Sequence, residues 1–231
     1  MTAKPPTVLV TGASRGIGRA IALRLAPRWR VVAVARTASE LETLAAEIKG
    51  KGGACDTLVL DITDAHRVRR TLQAREVDAI INNAGVGVMK PLVELGPDEW
   101  RLMMDVNLNA VYYVTHALLP GMIDRGRGHV VIIGSLAGKS GFAGGTGYSA
   151  TKFAVNGFAE SLMHEVRDAG VKVSVVMPGS VATAFSRSGR DPSWKLTADD
   201  VAASVEFLLD TPPRMLVDRI EMRPLNPPKK A

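Results

Sequence analysis

Short runs of Val, Ile and Leu alternate along the chain with longer segments in which apolar positions recur at helical spacing. The apolar runs predict six strands, at residues 7–10, 31–35, 57–60, 79–82, 129–134 and 171–177. Helices are predicted at about residues 16–26, 39–49, 65–74, 98–124, 148–169 and 197–210, with a final short strand at 216–222. The strands are apolar throughout, as expected when both faces of a sheet are covered. The alternation therefore predicts an α/β fold, with a parallel sheet and helices on both of its faces.

The size and composition fit one globular domain. The chain has 231 residues, of which 46% are hydrophobic and only 5% aromatic, so the predicted core is aliphatic. We expect residues 1–231 to form a single domain, with a short lid within residues 180–196 and a solvated C-terminal tail at 224–231. The single cysteine, Cys55, excludes an intrachain disulfide and fits a reducing compartment.

Charge and targeting signals narrow the classes of partner. The net charge is +6, but the Lys and Arg residues are scattered and no basic run is interleaved with aromatics, which argues against nucleic-acid binding. No signal peptide precedes the first strand and no apolar run reaches the roughly 20 residues of a membrane span, so we expect a cytoplasmic protein without a membrane partner. The four histidines are dispersed, so no metal site is predicted.

A glycine-rich turn follows the first predicted strand, with the sequence Thr11-Gly12-Ala13-Ser14-Arg15-Gly16-Ile17-Gly18. Glycines let the backbone approach a pyrophosphate closely, and the next helix directs its N–H groups and positive dipole end at the anion. A glycine turn alone is a weak signal, because any strand–helix connection can use glycine. Here strand, turn and helix occur in that order, which predicts a dinucleotide site.

The end of the second predicted strand distinguishes between the two nicotinamide cofactors. An NAD enzyme usually places Asp or Glu about 20 residues after the glycine turn, where it binds the ribose 2′-OH. Here the strand ends in Ala35-Arg36, with no carboxylate. The guanidinium groups of Arg15 and Arg36 would instead pair with a 2′-phosphate, which predicts NADP(H) in preference to NAD(H). Alternatively, both arginines are simply exposed side chains near a loop.

Tyr148 and Lys152 are four residues apart in a predicted helix and therefore lie on one face of it. On its own this pair also fits an ordinary helix with a solvent-directed lysine. Ser135 lies one loop earlier, which favours a catalytic interpretation, although it also fits a serine that caps a turn. We expect the Lys152 ammonium and a cationic nicotinamide to lower the pKa of Tyr148, so that the phenol exchanges a proton with a carbonyl or alcohol oxygen held by Ser135.

Together these motifs resemble the short-chain dehydrogenase/reductase family in its single-domain form. The matching elements are the Thr-Gly-x3-Gly-x-Gly turn at 11–18, Asn-Asn-Ala-Gly at 82–85, Asn107, Ser135, the Tyr-x3-Lys motif at 148–152 and Pro178-Gly179. The resemblance spans about residues 6–223 and implies a Rossmann-like, doubly wound parallel sheet of six to seven strands.

The resemblance also implies roles for single residues. Tyr148 would be the acid/base, Ser135 would align the substrate oxygen, and Lys152 would also touch the nicotinamide ribose. The backbone of Asn107 would hold a water that connects the lysine to solvent. The residues implied for cofactor binding are Gly12, Ser14, Arg15, Gly16, Ile17, Gly18, Arg36, Asp61, Asn83, Ala84, Gly85, Tyr148, Lys152, Pro178, Gly179 and Thr183. Asp61 alternatively forms a turn or caps a helix.

The sequence thus favours an enzyme that interconverts a carbonyl and an alcohol by hydride transfer with NADP(H). The alternative is a non-catalytic NADP(H)-binding or sensing protein on the same fold, and the complete catalytic set counts against it. The short lid indicates a small or open-ended carbonyl substrate. Candidates for its pocket are the apolar Met89, Phe142 and Trp194 and the basic Arg187, Arg190 and Lys195.

The resemblance further implies a homodimer or homotetramer in which the helices at 98–124 and 148–169 pair between subunits. The apolar residues that would supply the contact include Leu108, Val111, Phe153, Phe158 and Leu162.

Overall fold

A computed structural model of the chain describes residues 5–183 and 192–228. The strands in these ranges are β1 (Thr7–Thr11), β2 (Arg30–Ala35), β3 (Ala54–Val59), β4 (Ala79–Asn82), β5 (Gly128–Ile133), β6 (Val171–Pro178) and β7 (Arg219–Met222). The α-helices are α1 (Gly16–Leu25), α2 (Ala38–Gly50), α3 (Ala65–Leu72), α4 (Pro97–Met104), α5 (Ala110–Asp124), α6 (Thr146–Val166) and α7 (Ala198–Leu209).

The strands form one parallel sheet in the order β3-β2-β1-β4-β5-β6-β7. The chain begins at the centre with β1, builds outward to β3, and then returns to place β4 on the other side of β1. This reversal leaves a crevice beyond the carboxyl ends of the strands, which is where ligands of such sheets bind. The predicted Rossmann-like, doubly wound sheet is confirmed.

Apolar side chains on the two faces of the sheet form two cores. On β1, Val8 and Val10 pack into the core under α1, α2 and α7, which includes Ile21. The intervening Leu9 packs into the opposite core under α3, α5 and α6, which includes Met122. Successive side chains of a strand point to opposite faces, so a strand that is covered on both sides needs apolar residues at every position.

Strand β3 begins at Ala54, three residues earlier than predicted. It is an edge strand that pairs only with β2, and its positions are not uniformly buried: Cys55 is buried, whereas Asp56 is not and pairs with Arg30 at 2.9 Å. A search for continuous apolar runs therefore missed its polar first half.

The predicted helix at 98–124 is two helices, α4 and α5, joined by a π-helical turn at Asp105–Asn109. Among the smaller departures, α6 begins two residues before the predicted start and β7 is shorter than predicted. Within residues 5–183 and 192–228, no helix combines the length and apolar character that crossing a membrane requires.

Two of the residues expected at a subunit contact are placed differently. Val111 and Leu162 are buried in the core of the chain itself, so the prediction was wrong for them. Phe153 is 48% exposed and remains available for such a contact. Helical periodicity showed an apolar face but not which neighbour covers it.

Candidate active site

The carboxyl ends of the strands form the wall of one long cleft. Most of the predicted site residues line this wall. They are Gly12, Ser14, Arg15, Gly16, Ile17, Arg36, Asp61, Asn83, Ala84, Gly85, Ser135, Tyr148, Lys152, Pro178, Gly179 and Thr183. Two predicted site residues, Gly18 and Asn107, lie behind the wall.

The turn after β1 is held in place by β4. The Thr11 hydroxyl accepts hydrogen bonds from the backbone N–H groups of Asn83 at 3.0 Å and Ala84 at 3.1 Å. The Asn83 side-chain amide donates to the Thr11 carbonyl at 2.9 Å. Gly12 and Gly16 have φ values of 65° and 55°, in the left-handed region that favours glycine. The turn therefore presents its backbone to the cleft at the point where α1 begins.

Gly18 allows this turn to pack without lining the cleft. A Cβ atom at Gly18 would lie 2.3 Å from the Gly12 carbonyl oxygen and 2.4 Å from Asn83 Nδ2. Gly18 was predicted to contact the cofactor. In the structure it is the residue of α1 that packs against Gly12 and Asn83.

Charged side chains line the end of the cleft next to β2 and β3. Arg15 and Arg36 are exposed there. Asp61 Oδ1 accepts hydrogen bonds from the Thr63 backbone N–H at 3.0 Å and the Thr63 hydroxyl at 2.7 Å. The pKa of Asp61 is lowered, mainly by the backbone hydrogen bond from Thr63, with a smaller contribution from Arg36. Asp61 is thus an ionised turn former that also faces the cleft, which accommodates both of its predicted roles.

Ser135, Tyr148 and Lys152 meet at the other end of the cleft. Ser135 follows β5, and Tyr148 and Lys152 lie on one face of α6. Ser135 and Tyr148 line this part of the cleft together, and Lys152 Nζ lies 5.7 Å from the centroid of the Tyr148 ring. Lys152 Nζ also donates to the Ile133 carbonyl at 2.9 Å, which fixes the ammonium against the end of β5.

Burial controls the protonation of both titratable groups. Burial lowers the pKa of Lys152 from 10.5 to about 8, because it penalises the charged ammonium. Burial also raises the pKa of Tyr148 above its ordinary value of 10.0, and the lowering contribution of the Ser135 side chain offsets this only in part. Burial therefore dominates the pKa of Tyr148 in the chain alone, and the expected lowering by Lys152 together with a cationic nicotinamide stays a prediction. The phenol is protonated at neutral pH, as a proton donor must be.

Known proteins share this fold. The sequence profile of the family described as short chain dehydrogenase matches residues 6–193. This chain belongs to the short-chain dehydrogenase/reductase family. It is similar to a serine 3-dehydrogenase from Rhizobium radiobacter, with 32% identity over 95% of this chain and 94% of the relative. The chain is accordingly an oxidoreductase of this family.

Two solved structures of short-chain dehydrogenases extend the similarity. A metagenomic short-chain oxidoreductase in complex with NADP shares 34% identity and a TM-score of 0.85, over 96% of this chain and 98% of that one. An alcohol dehydrogenase from the archaeon Thermococcus sibiricus, complexed with 5-hydroxy-NADP, shares 30% identity and a TM-score of 0.89, over 98% and 100% of the two chains. These neighbours support nicotinamide cofactor binding by this family member.

The cleft of this short-chain dehydrogenase fits a dinucleotide. Its glycine turn offers backbone at the positive end of α1, where a pyrophosphate is favoured. A side chain at Gly12 would not fit, because a Cβ there would lie 2.9 Å from the Ala84 Cα atom. Arg15 and Arg36 carry positive charge at one end of the cleft, and Lys152 carries it at the other.

Asn107 joins the wall of the cleft to α6 from behind. Its Nδ2 donates to the Val86 carbonyl at 2.8 Å and to Thr151 Oγ1 at 3.0 Å, and its Oδ1 accepts from the Val86 N–H at 2.8 Å. Thr151 Oγ1 donates in turn to the Tyr148 carbonyl at 2.8 Å. The side chain, which lies in the π-helical turn, therefore positions the helix that carries Tyr148. The water-holding role of its backbone stays a prediction.

The three apolar candidates for the substrate pocket, Met89, Phe142 and Trp194, all line the cleft. Their contact with substrate stays a prediction. The predicted lid is described only at its two ends, where Val181 and Leu196 form a parallel bridge. The basic candidates Arg187 and Arg190 lie outside the described residues. Lys195 is described, and its Nζ lies 5.7 Å from the Trp194 ring centroid.

Sequence reasoning missed part of this wall. Lys139 lines the cleft just after the turn that Ser135 begins. The tail predicted to be solvated also reaches it, through Pro224, Pro227 and Pro228, and Arg223 lies at its base. No local pattern marks these residues, since their position depends on β7 pairing with β6 far away in the sequence.

Proposed function

We propose that this enzyme interconverts a carbonyl compound and its alcohol with NADP(H), and that Tyr148 is the acid/base. The observation that carries the proposal is the grouping of Ser135, Tyr148 and Lys152 in the wall of one cleft, with Lys152 Nζ 5.7 Å from the centroid of the Tyr148 ring. A protonated phenol beside a hydroxyl group, at the end of a dinucleotide cleft, suits proton delivery to a carbonyl oxygen.

When bound, a nicotinamide supplies the hydride for reduction and accepts it in oxidation. During reduction, the Ser135 hydroxyl donates to the carbonyl oxygen and directs it toward Tyr148. As negative charge develops on that oxygen, Tyr148 Oη donates its proton, which completes the alcohol. The Lys152 ammonium, fixed by its bond to the Ile133 carbonyl, stabilises the phenolate left behind. In oxidation, the phenolate takes the proton back from the alcohol.

Other residues of the wall would hold the cofactor. The backbone of the turn at 12–17 would bind the pyrophosphate, and Asp61 would lie beside the adenine. Asn83, Ala84 and Gly85 would run along the adenine ribose. Pro178, Gly179 and Thr183 would contact the nicotinamide.

The exposed guanidinium groups of Arg15 and Arg36 support a preference for NADP(H) over NAD(H). Both line the end of the cleft where the 2′-position of the ribose would lie, and guanidinium suits bidentate binding of phosphate. The metagenomic neighbour was solved with NADP and the Thermococcus sibiricus neighbour with 5-hydroxy-NADP.

The substrate would be a small carbonyl or alcohol. The wall near Tyr148 is apolar at Met89, Phe142 and Trp194, which would shield the reacting carbon from water. The relative from Rhizobium radiobacter is by name a dehydrogenase of serine, a small molecule with an alcohol group.

Pairing of two or four copies through α5 and α6 is also proposed. The exposed aromatic side chains of Tyr112 and Phe153, each 48% exposed, would form part of the contact. Size-exclusion chromatography with light scattering tests this, and a Phe153→Asp variant should shift the mass toward the monomer.

Turnover of NADPH and NADH across a panel of aldehydes, ketones and quinones tests the proposed function. We expect oxidation of NADPH by at least one carbonyl compound, with a stoichiometric yield of the alcohol. Tight NADPH binding without turnover of any compound would instead favour the non-catalytic sensing protein.

A further inference from the structure

Two cations stand together in the cleft wall on the side of Ser135. Lys139 and Arg223 both line the cleft and share one carboxylate. Lys139 Nζ donates to Glu221 Oε1 at 2.5 Å, and Arg223 Nη1 donates to Glu221 Oε2 at 3.0 Å. The cluster, defined as Lys139, Glu221 and Arg223, therefore carries a net charge of +1.

The cationic groups of this cluster are its accessible part. The Lys139 and Arg223 side chains are 56% and 57% exposed, whereas that of Glu221 is 24% exposed. The Lys139 ammonium carries three N–H donors and the Arg223 guanidinium carries five. One donor of each group is bonded to Glu221. The carboxylate thus holds two exposed cations that both line the cleft, and most of their donors are not bonded to it.

Both cations are attached to parts of the active site. Lys139 ends the 3₁₀ turn Leu136–Gly138, which begins at Ser135. The Gly138 N–H donates to the Ser135 carbonyl at 2.9 Å, so the turn is compact and keeps Lys139 close to Ser135. Arg223 follows Met222, whose carbonyl accepts from the Gly179 N–H at 2.8 Å. The cluster therefore borders the same space as the reacting groups.

The charge of the wall differs between the two ends of the cleft. The carboxylates that line the described part of the cleft are Glu40 and Asp61. Both lie near β2 and β3, at the end assigned to the nucleotide, and not beside Lys139 and Arg223. The apolar Leu136 and Phe142 lie close to Lys139 in the sequence and line the same end. A cationic cluster beside apolar side chains attracts an anion more strongly than it would in open solvent.

We propose that Lys139 and Arg223 bind a carboxylate of the substrate, so that this enzyme acts on short oxo acids and hydroxy acids. The inference rests on the proposed carbonyl reduction and names its substrate class. The short distance between Lys139 and Ser135 favours a carboxylate two or three bonds from the reacting carbonyl carbon. Glu221 is the positioning residue that sets the spacing of the two cations.

Acetoacetate and its methyl ester provide a matched pair of probes, because they share the reacting ketone and differ in the negative charge. With NADPH as reductant, we expect the wild-type kcat/KM to be at least about 10-fold higher for the acid. In the Lys139→Met/Arg223→Met variant, kcat/KM for the acid should fall about 10- to 100-fold, mainly through KM, because two charge-assisted hydrogen bonds are lost. The value for the ester should stay within about twofold.

Two control variants separate binding from structural effects. Arg101→Met removes an exposed arginine of α4 that pairs with Asp98 outside the described wall, and it should change neither value. In the triple variant Lys139→Met/Glu221→Gln/Arg223→Met, the carboxylate is removed as well, and the loss for the acid should persist. If the acid recovers in the triple variant, repulsion by Glu221 caused the loss and the inference is overturned.

An equal loss for acid and ester would also overturn the inference, because it would assign the cluster a structural role. The same conclusion follows if the wild type does not prefer the acid, or reduces neither probe. Failure of the proposed function is a separate result, since it requires that no carbonyl in the wider panel be reduced by NADPH.

Discussion

The two ends of the cleft are built in different ways. At the nucleotide end, the glycine turn between β1 and β4 consists of backbone and short side chains, and Thr11 and Asn83 hold it by hydrogen bonds. The substrate end consists of long side chains such as Lys139 and Arg223, contributed by a turn and by the chain after β7. Nucleotide binding therefore depends on the conformation of a few neighbouring residues. If the proposed substrate site is right, substrate choice depends on contacts between distant segments of the chain.

Lys152 lies beside Tyr148 at the substrate end, and its removal should have the largest effect. Lys152→Met keeps most of the side-chain volume but removes the ammonium that stabilises the Tyr148 phenolate. We expect kcat to fall at least about 100-fold, within the range of acid–base catalysis. Steady-state kinetics with NADPH, together with the Kd of NADPH by fluorescence, measure this. An exposed lysine that pairs with Glu47 provides the control Lys51→Met, which should keep its kcat. A larger change in the Kd than in kcat would assign Lys152 to the nucleotide end alone.

Substitution of Gly18, which packs closely against the glycine turn, should have the next largest effect, a weaker binding of NADPH. In Gly18→Ala, the added methyl would lie 2.3 Å from the Gly12 carbonyl oxygen, so α1 must move away from the turn. The Kd of NADPH should rise about 10- to 100-fold, since overpacking of this kind typically costs 1–3 kcal/mol. Gly157→Ala is the matched control, because a Cβ on that exposed residue of α6 meets nothing within 4 Å. It should leave the Kd unchanged and stabilise the helix by about 1 kcal/mol. Equal affinities in the two variants would contradict a rigid nucleotide end.

Burial of Lys152 predicts a pH-dependent stability. Its pKa is about 8 in the folded chain and 10.5 ordinarily, so between these values the unfolded chain binds more protons. The stability contribution of this residue therefore rises with pH, by about 2 kcal/mol between pH 7 and pH 9.5. Urea unfolding of the wild type and of Lys152→Met at both pH values measures the difference. We expect the free energy of unfolding of the wild type to rise relative to that of Lys152→Met between the two pH values. If this difference stays constant, or changes in the opposite direction, the ammonium is not desolvated.

Cofactor preference should show the smallest effect, because the arginines concerned are exposed. In Arg15→Ala/Arg36→Ala, the ratio of kcat/KM for NADPH to that for NADH should fall about 10-fold, as two charge-assisted contacts to a phosphate are lost in a solvated site. The kcat at saturating cofactor should change little. An unchanged ratio would remove the basis for the NADP(H) preference.

The sequence predicted the parts of this molecule that depend on local pattern. The glycine turn and the Tyr148–Lys152 pair could be recognised because each is formed by residues that are close together in the sequence. Each buried strand could be recognised from its own apolar run. The polar start of β3 was missed because an edge strand needs no continuous apolar run. The π-helical turn around Asn107 and the cluster of Lys139, Glu221 and Arg223 were missed because they arise from pairing between distant segments. The raised pKa of Tyr148 was missed because its burial is a property of the assembled cleft.

Replacement of the Tyr148 hydroxyl tests the central claim most directly. Tyr148→Phe removes the proton donor and keeps the ring that packs near Lys152. The account predicts that NADPH binds within about threefold of the wild-type Kd, while carbonyl reduction falls at least about 100-fold across pH 6 to 9. A variant that binds NADPH normally and keeps more than about a tenth of wild-type turnover would show that another group supplies the proton.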